Sequence, residues 1–213
     1  MDRLDEVLAT ARPLLRQIDD VLVTVGAPPG HPVWAALRRV GLLPGDAAEA
    51  IAALHPATLA GTVPELRADA RIYADVAADL PVATDWSGDA ADAYEATRRR
   101  EAGLLSGGPD SLDERLHATA DLADALADWM QRTRDSATVA LAGMLTSDDA
   151  LLLGGAVTRL PEETEVLAAA HLATTLLRTV ADNYALVEDF LRGSAALADP
   201  VVPARRLPQP RDG

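Results

Sequence analysis

Cysteine is absent from the 213 residues. That excludes a disulfide framework, a thiol nucleophile and a thiolate metal site, and it leaves the compartment open. Aromatic residues are scarce at 3%. A core must then be built from Leu, Val and Ala, which suits closely spaced helices better than a sheet sandwich, and strand-type runs of β-branched residues are few. No apolar run approaches the roughly 20 residues that span a bilayer. The opening MDRLDEVLATARPLL is acidic and amphipathic, unlike a cleavable signal peptide. The four histidines, His31, His55, His117 and His171, are scattered, and none stands at a metal-ligand spacing from another. Acid pairs such as Asp148-Asp149 and Glu162-Glu163 fall at helix starts, where electrostatics explain them. Asp121, Asp124 and Asp128 line one flank of a helix with no Glu-x-x-His motif beside them. No serine sits in a nucleophile elbow, and no phosphate loop or internal repeat emerges. The expectation is a protein without catalysis, metal or cofactor.

Charge is plentiful but one-sided, with 33 acidic and 19 basic residues giving a net −14. Phosphate backbones and anionic membranes repel such a surface, so neither nucleic-acid binding nor stable membrane insertion is expected. A solvated helical surface accounts for the acidity; the remaining role is attraction to a basic partner.

What the sequence does have is helical periodicity. Leu4, Leu8, Ala11, Leu15, Ile18, Leu22 and Val25 step by four and three, the stripe of a helix from Asp2 to about Val25. Pro13 should kink or restart it. After Gly26-Ala27-Pro28-Pro29-Gly30, a short helix spans 31–40 and ends at Gly41, and Pro44-Gly45-Asp46 opens another to about Leu54. Thr62 and Glu65 read as a capping box for a helix that Pro81 ends, its stripe being Val63, Leu66, Ala70, Tyr73, Ala77 and Leu80. A helix from about Gly88 to Leu105 stops at Ser106-Gly107-Gly108-Pro109-Asp110.

Leu112, Leu116, Thr119, Ala123, Leu126, Met130, Thr133, Ala137, Ala140 and Met144 hold the longest seam. Residues 146–160 read as an apolar linker. A last helix starts near Pro161-Glu162-Glu163, with its seam on Val166, Ala170, Ala173, Leu177, Val180, Tyr184, Val187 and Leu191. The expected fold is all-α: an antiparallel four-helix bundle of long helices (56–197), an N-terminal segment of extra short helices (1–55) and a disordered Pro/Arg-rich tail (198–213).

Between the helix that Pro81 ends and the one that starts at about Gly88 lies Asp85-Trp86-Ser87-Gly88-Asp89. A bulky indole and a Gly are what a tight bend between antiparallel helices requires, since Gly adopts backbone angles that carry the chain out of a helix. Downstream, Tyr184 and Glu188 are spaced by four, which puts ring and carboxylate on one helix face.

This W-x-G bend with a Tyr-x-x-x-Glu resembles the WXG superfamily, helical-hairpin substrates of actinobacterial type VII (ESX) secretion, most closely over residues 60–105. The resemblance implies a non-enzymatic secreted substrate or accessory protein, recognised through Trp86, Gly88, Tyr184 and Glu188. It implies a protein partner: a WXG-type helical protein, a secretion ATPase or chaperone, or a second copy. The protein would be cytoplasmic before export and then secreted or at the cell surface by a route needing no signal peptide.

The separation of Trp86 from Tyr184, nearly one hundred residues, is far longer than in single-hairpin members and looks like the fused PE/PPE-like or Esp-type form. At 1.5 Å rise per residue the two motifs would end within about 10 to 15 Å of each other in height. The alternative is a cytoplasmic chaperone or immunity-like partner of a secreted helical protein, docking through the apolar stripe of residues 4–25.

Overall fold

In the computed structural model, residues 2–85, 87–108, 110–154 and 162–194 are described, the side chains of residues 162, 189–191, 193 and 194 apart. Among these residues there are eight α-helices and no strand: α1 Arg3–Thr24, α2 Val33–Val40, α3 Pro44–Ala52, α4 Pro56–Ala78, α5 Asp89–Leu105, α6 Leu112–Leu145, α7 Asp148–Leu153 and α8 Glu162–Ser194. The all-α expectation holds. The described residues fall into two compact units, those within 1–57 and 126–189, and those within 58–125 and 190–213.

The first unit is built on α1. A capping box between Asp2 and Asp5 starts the helix, and Leu4, Leu8, Ala11, Leu15, Ile18 and Leu22 are buried along one face. They join Val33 and Ala36 of α2, Ala47, Ala48 and Ile51 of α3, Ala137, Leu141 and Met144 of α6, Leu153 of α7 and a run of α8. Burying each large aliphatic side chain contributes about 1.5–3 kcal/mol. On α8 the fully covered residues include Ala169, Ala170 and Ala173, small enough to let neighbouring helices approach closely. The α1 stripe is therefore core and is not a free docking face, which corrects the surface assigned to the alternative reading. Val25 lies beyond it, 53% exposed. Pro13 does not restart the helix: it and Ala9, whose carbonyl loses its amide partner, are both exposed, so water can satisfy that oxygen.

Arg134 of α6 ties three elements together. Only 5% exposed, it donates from Nη1 to the carbonyls of Ile51, Ala52 and Leu54 at 3.3, 2.5 and 2.9 Å. It donates to Asp2 Oδ2 from Nε at 3.0 Å and from Nη2 at 2.7 Å. The end of α3 has orphan carbonyls, and one guanidinium fork satisfies them while pairing with the first turn of α1. At the start of α3, Asp19 accepts from the Gly45 amide at 3.1 Å. A Cβ at Gly45 would collide with that carboxylate.

Residues 146–160, expected to be a linker, contain the short helix α7. Ser147 starts it by accepting from the Ala150 amide at 3.2 Å, an N-cap that the apolar Leu151-Leu152-Leu153 run obscures in the sequence.

In the second unit α4 begins at Pro56, six residues before the Thr62 expected to cap it. Proline suits a first helical position, and Thr62 lies inside the helix, its hydroxyl donating to the Leu59 carbonyl at 2.8 Å. Val63 packs with Ala120 and Ala123 of α6, flanked by Leu59 and Leu66. Arg67 bridges α4 to α6 by donating to Asp121 at 3.0 Å and Asp124 at 2.7 Å. The turn into α6 is knotted by Asp113, which accepts from Ser106 at 2.5 Å and Ser111 at 2.6 Å; these bonds hold its carboxyl below the usual carboxylate range.

The seam of α6 departs from the expected one. Ala120, Ala127, Trp129, Arg134 and Leu141 are buried, whereas Thr119 is exposed. Ala123, Ala137 and Met144 of the expected seam are covered, and the alternate positions of the stripe lie one residue later than expected, at Ala120, Ala127 and Leu141 in place of Thr119, Leu126 and Ala140.

Candidate functional site

Of the four residues expected to carry recognition, Tyr184 and Glu188 lie in the first unit and Gly88 in the second, while Trp86 is outside the described residues. Gly88 is the N-cap of α5 at φ 98°, a left-handed angle that favours glycine. The connection 79–88 is further held by Tyr94, whose hydroxyl donates to the Pro81 carbonyl at 2.8 Å.

Tyr184 and Glu188 share one face of α8 near its C-terminal end. The expected seam is closed on either side of Tyr184, with Val180 2% and Val187 4% exposed. Tyr184 itself is 42% exposed and Leu186 63%, and Glu188 is exposed as well. Tyr184 thus stands at the rim and not within the core.

Its position is fixed from below by Trp129 of α6, a residue the sequence reading passed over because it falls between two seam positions. The two rings meet edge to face with centroids 5.6 Å apart, a favoured aromatic geometry. The indole N–H donates to the main-chain carbonyl of Asn183 at 2.7 Å, and Trp129 is 6% exposed. Two residues before the tyrosine, Asp182 accepts from Arg39 of α2 at 3.1 Å. The result is an aromatic ring, an aliphatic side chain and a carboxylate presented to solvent on a helix whose other side is packed.

Elsewhere, the structure brings together two histidines that the sequence keeps far apart. The rings of His31 and His171 stand 5.4 Å apart and tilted by 38°. His31 Nδ1 accepts from the Val33 amide at the start of α2, 3.2 Å away, and His171 lies 3.6 Å from Asp149. Burial holds His31 below the usual histidine range, and His171 and Arg178 push in the same direction. No group of three or more His, Cys, Asp or Glu able to hold a metal occurs among the described residues. None of the described helices is long and apolar enough to cross a membrane. Comparison with protein-family models, with curated proteins and with solved structures finds no match to this chain.

Proposed function

We propose that this chain is a non-enzymatic helical protein of a type VII (ESX-like) secretion system, a secreted substrate or accessory protein recognised through a composite W-x-G and Tyr-x-x-x-Glu signal. The observation that carries the reading is the Tyr184 turn. A tyrosine and a carboxylate one turn apart stand on the solvent side of the last helix, with the ring braced by a buried tryptophan. A helix–break–helix passage supports the hairpin half of the signal: α4, the 79–88 connection with Gly88 at positive φ, and α5, pinned back to Pro81 by Tyr94. The finer architecture belongs to the same proposal: α4, α5, α6 and α8 are the long helices of an antiparallel four-helix bundle. The partner is a helical protein, a secretion ATPase or a chaperone that reads the exposed turn.

The test is export. In a host with an active type VII machine, Tyr184→Ala, Glu188→Gln and Trp86→Ala should each remove the chain from the culture supernatant, as should disabling the machine. The cell-associated variants should keep wild-type helical circular dichroism. Tyr184→Phe, which keeps the ring on Trp129, separates loss of recognition from loss of packing. Undiminished secretion of the Tyr184→Ala and Trp86→Ala variants, or secretion that persists without the machine, overturns the reading.

A further inference from the structure

The outer face of α4 is both apolar and acidic. Val63, Ala70 and Ala77 are the buried side of this helix. At about 100° per residue the opposite side is occupied by Ile72 and Val76, encircled by Glu65, Asp69, Asp75 and Asp79. Ile72 is 56% and Val76 46% exposed, and all four acids are exposed. The arginines of α4 do not neutralise this face. Arg67 turns to α6 to meet Asp121 and Asp124, and Arg71 stands off to one flank. Among the described residues no ion pair joins Glu65, Asp69, Asp75 or Asp79 to a base. Two aliphatic side chains inside a ring of four uncompensated carboxylates call for a ligand that is aliphatic and cationic together.

The same chain contains one such segment. Pro200-Val201-Val202-Pro203-Ala204-Arg205-Arg206-Leu207-Pro208-Gln209-Pro210-Arg211 holds three arginines and none of the 33 acidic residues. It follows α8, whose end, from Phe190 on, belongs to the same unit as α4. Ten residues separate Ser194 from Arg205, enough to reach about 35 Å when extended, and α4 with its 23 residues is about 35 Å long.

We propose that residues 200–211 dock along the outer face of α4, with Val201, Val202 and Leu207 over Ile72 and Val76, and with Arg205, Arg206 and Arg211 among the four carboxylates. The four prolines of the segment restrict the chain before it docks, which reduces the ordering cost. A second copy of this chain is a poor occupant, because like charge meets like across an acidic face in a protein of net −14. The proposal goes beyond the export reading and does not depend on it.

The absence of cysteine makes the test direct on the full chain. A nitroxide is attached through Val202→Cys, and the amide signals of isotope-labelled protein are compared before and after reduction of the label. Apart from the label's own neighbours in the chain, from the end of α8 onward, broadening is expected along residues 65–79 and on no other helix. It should be strong at about 0.01 M salt, where charges are felt over about 30 Å, and largely gone at about 1 M, where the range is about 3 Å.

Asp69→Lys with Asp79→Lys, both on the solvent side of α4, should abolish the broadening at unchanged helical circular dichroism. Ile72→Ser should weaken it several-fold without altering its salt dependence. Three outcomes overturn the proposal: no broadening on α4; broadening centred on another element, such as the Tyr184 turn; or broadening transferred to labelled chains mixed with unlabelled, nitroxide-bearing ones, which would mark a contact between copies.

Discussion

At the scale of single residues, Arg134 has the largest predicted effect. Its guanidinium is buried among three carbonyls of the α3 end and the Asp2 carboxylate. Truncation leaves those oxygens without donors inside the fold. Asp2 is exposed and can return to water, so the loss falls on the α3-end carbonyls: Arg134→Ala should cost about 1–3 kcal/mol, read as a lowered urea midpoint, and Arg134→Lys, which cannot fork, should recover only part of it.

Two titratable groups tilt the pH profile in opposite directions. Burial pushes Asp19 up to about 6, and its acidic neighbours Asp46 and Asp20 add to this. The native state then holds a proton that the unfolded chain has already lost, so stability falls as pH rises from about 4 through 6, by about 1–2 kcal/mol once solvent screening is allowed for. His31 is displaced the other way, so its contribution is present above the unfolded histidine range and falls as pH drops below about 6.5. Urea midpoints of Asp19→Asn should lose the decline between pH 4 and 6 while retaining the acid-side loss; a profile unchanged by the substitution would refute the assignment.

At the scale of elements, α6 is the informative case. Its second half passes through the larger core, where Ala137, Leu141 and Met144 are covered, whereas its first half meets a small cluster around Val63. On α5 the buried set is Ala91. Regions with few apolar contacts open at lower free energy. Native-state hydrogen exchange should therefore show α5 and residues 112–125 exchanging at least tenfold faster than residues 130–144 and α8, although α6 is one continuous helix. Uniform protection along α6 would contradict this.

The sequence exposes some elements and hides others for physical reasons. The α1 stripe is legible because the helix buries a single face, and Leu4 to Ile18 mark it without ambiguity. The start of α4 is not, because Thr62 and Glu65 imitate a cap and Pro64 imitates a start, while Ala60, whose carbonyl loses its amide partner, is an exposed residue, so the helix runs through the proline at small cost.

At the scale of the whole molecule, the class of fold follows from composition: scarce aromatics and few strand-like runs favour helices as the packing. The division of the chain does not follow from composition. Residues 1–55 read as a separate preface, yet they share a core with the second half of α6, with α7 and with α8, because long-range partnership leaves no mark in local periodicity. The candidate site was legible in the same uneven way. Tyr184 and Glu188 declare themselves by their spacing, but Trp129 and the meeting of His31 with His171 depend on contacts between residues far apart in the chain.

The indole beneath Tyr184 has a practical consequence. Trp129 is shielded from water and bonded to the backbone of the very turn that carries the tyrosine, so with Trp34 and Trp86 replaced by Phe any protein settling on that turn should alter the light this tryptophan emits. The surface that the export reading makes decisive comes with an optical gauge already installed.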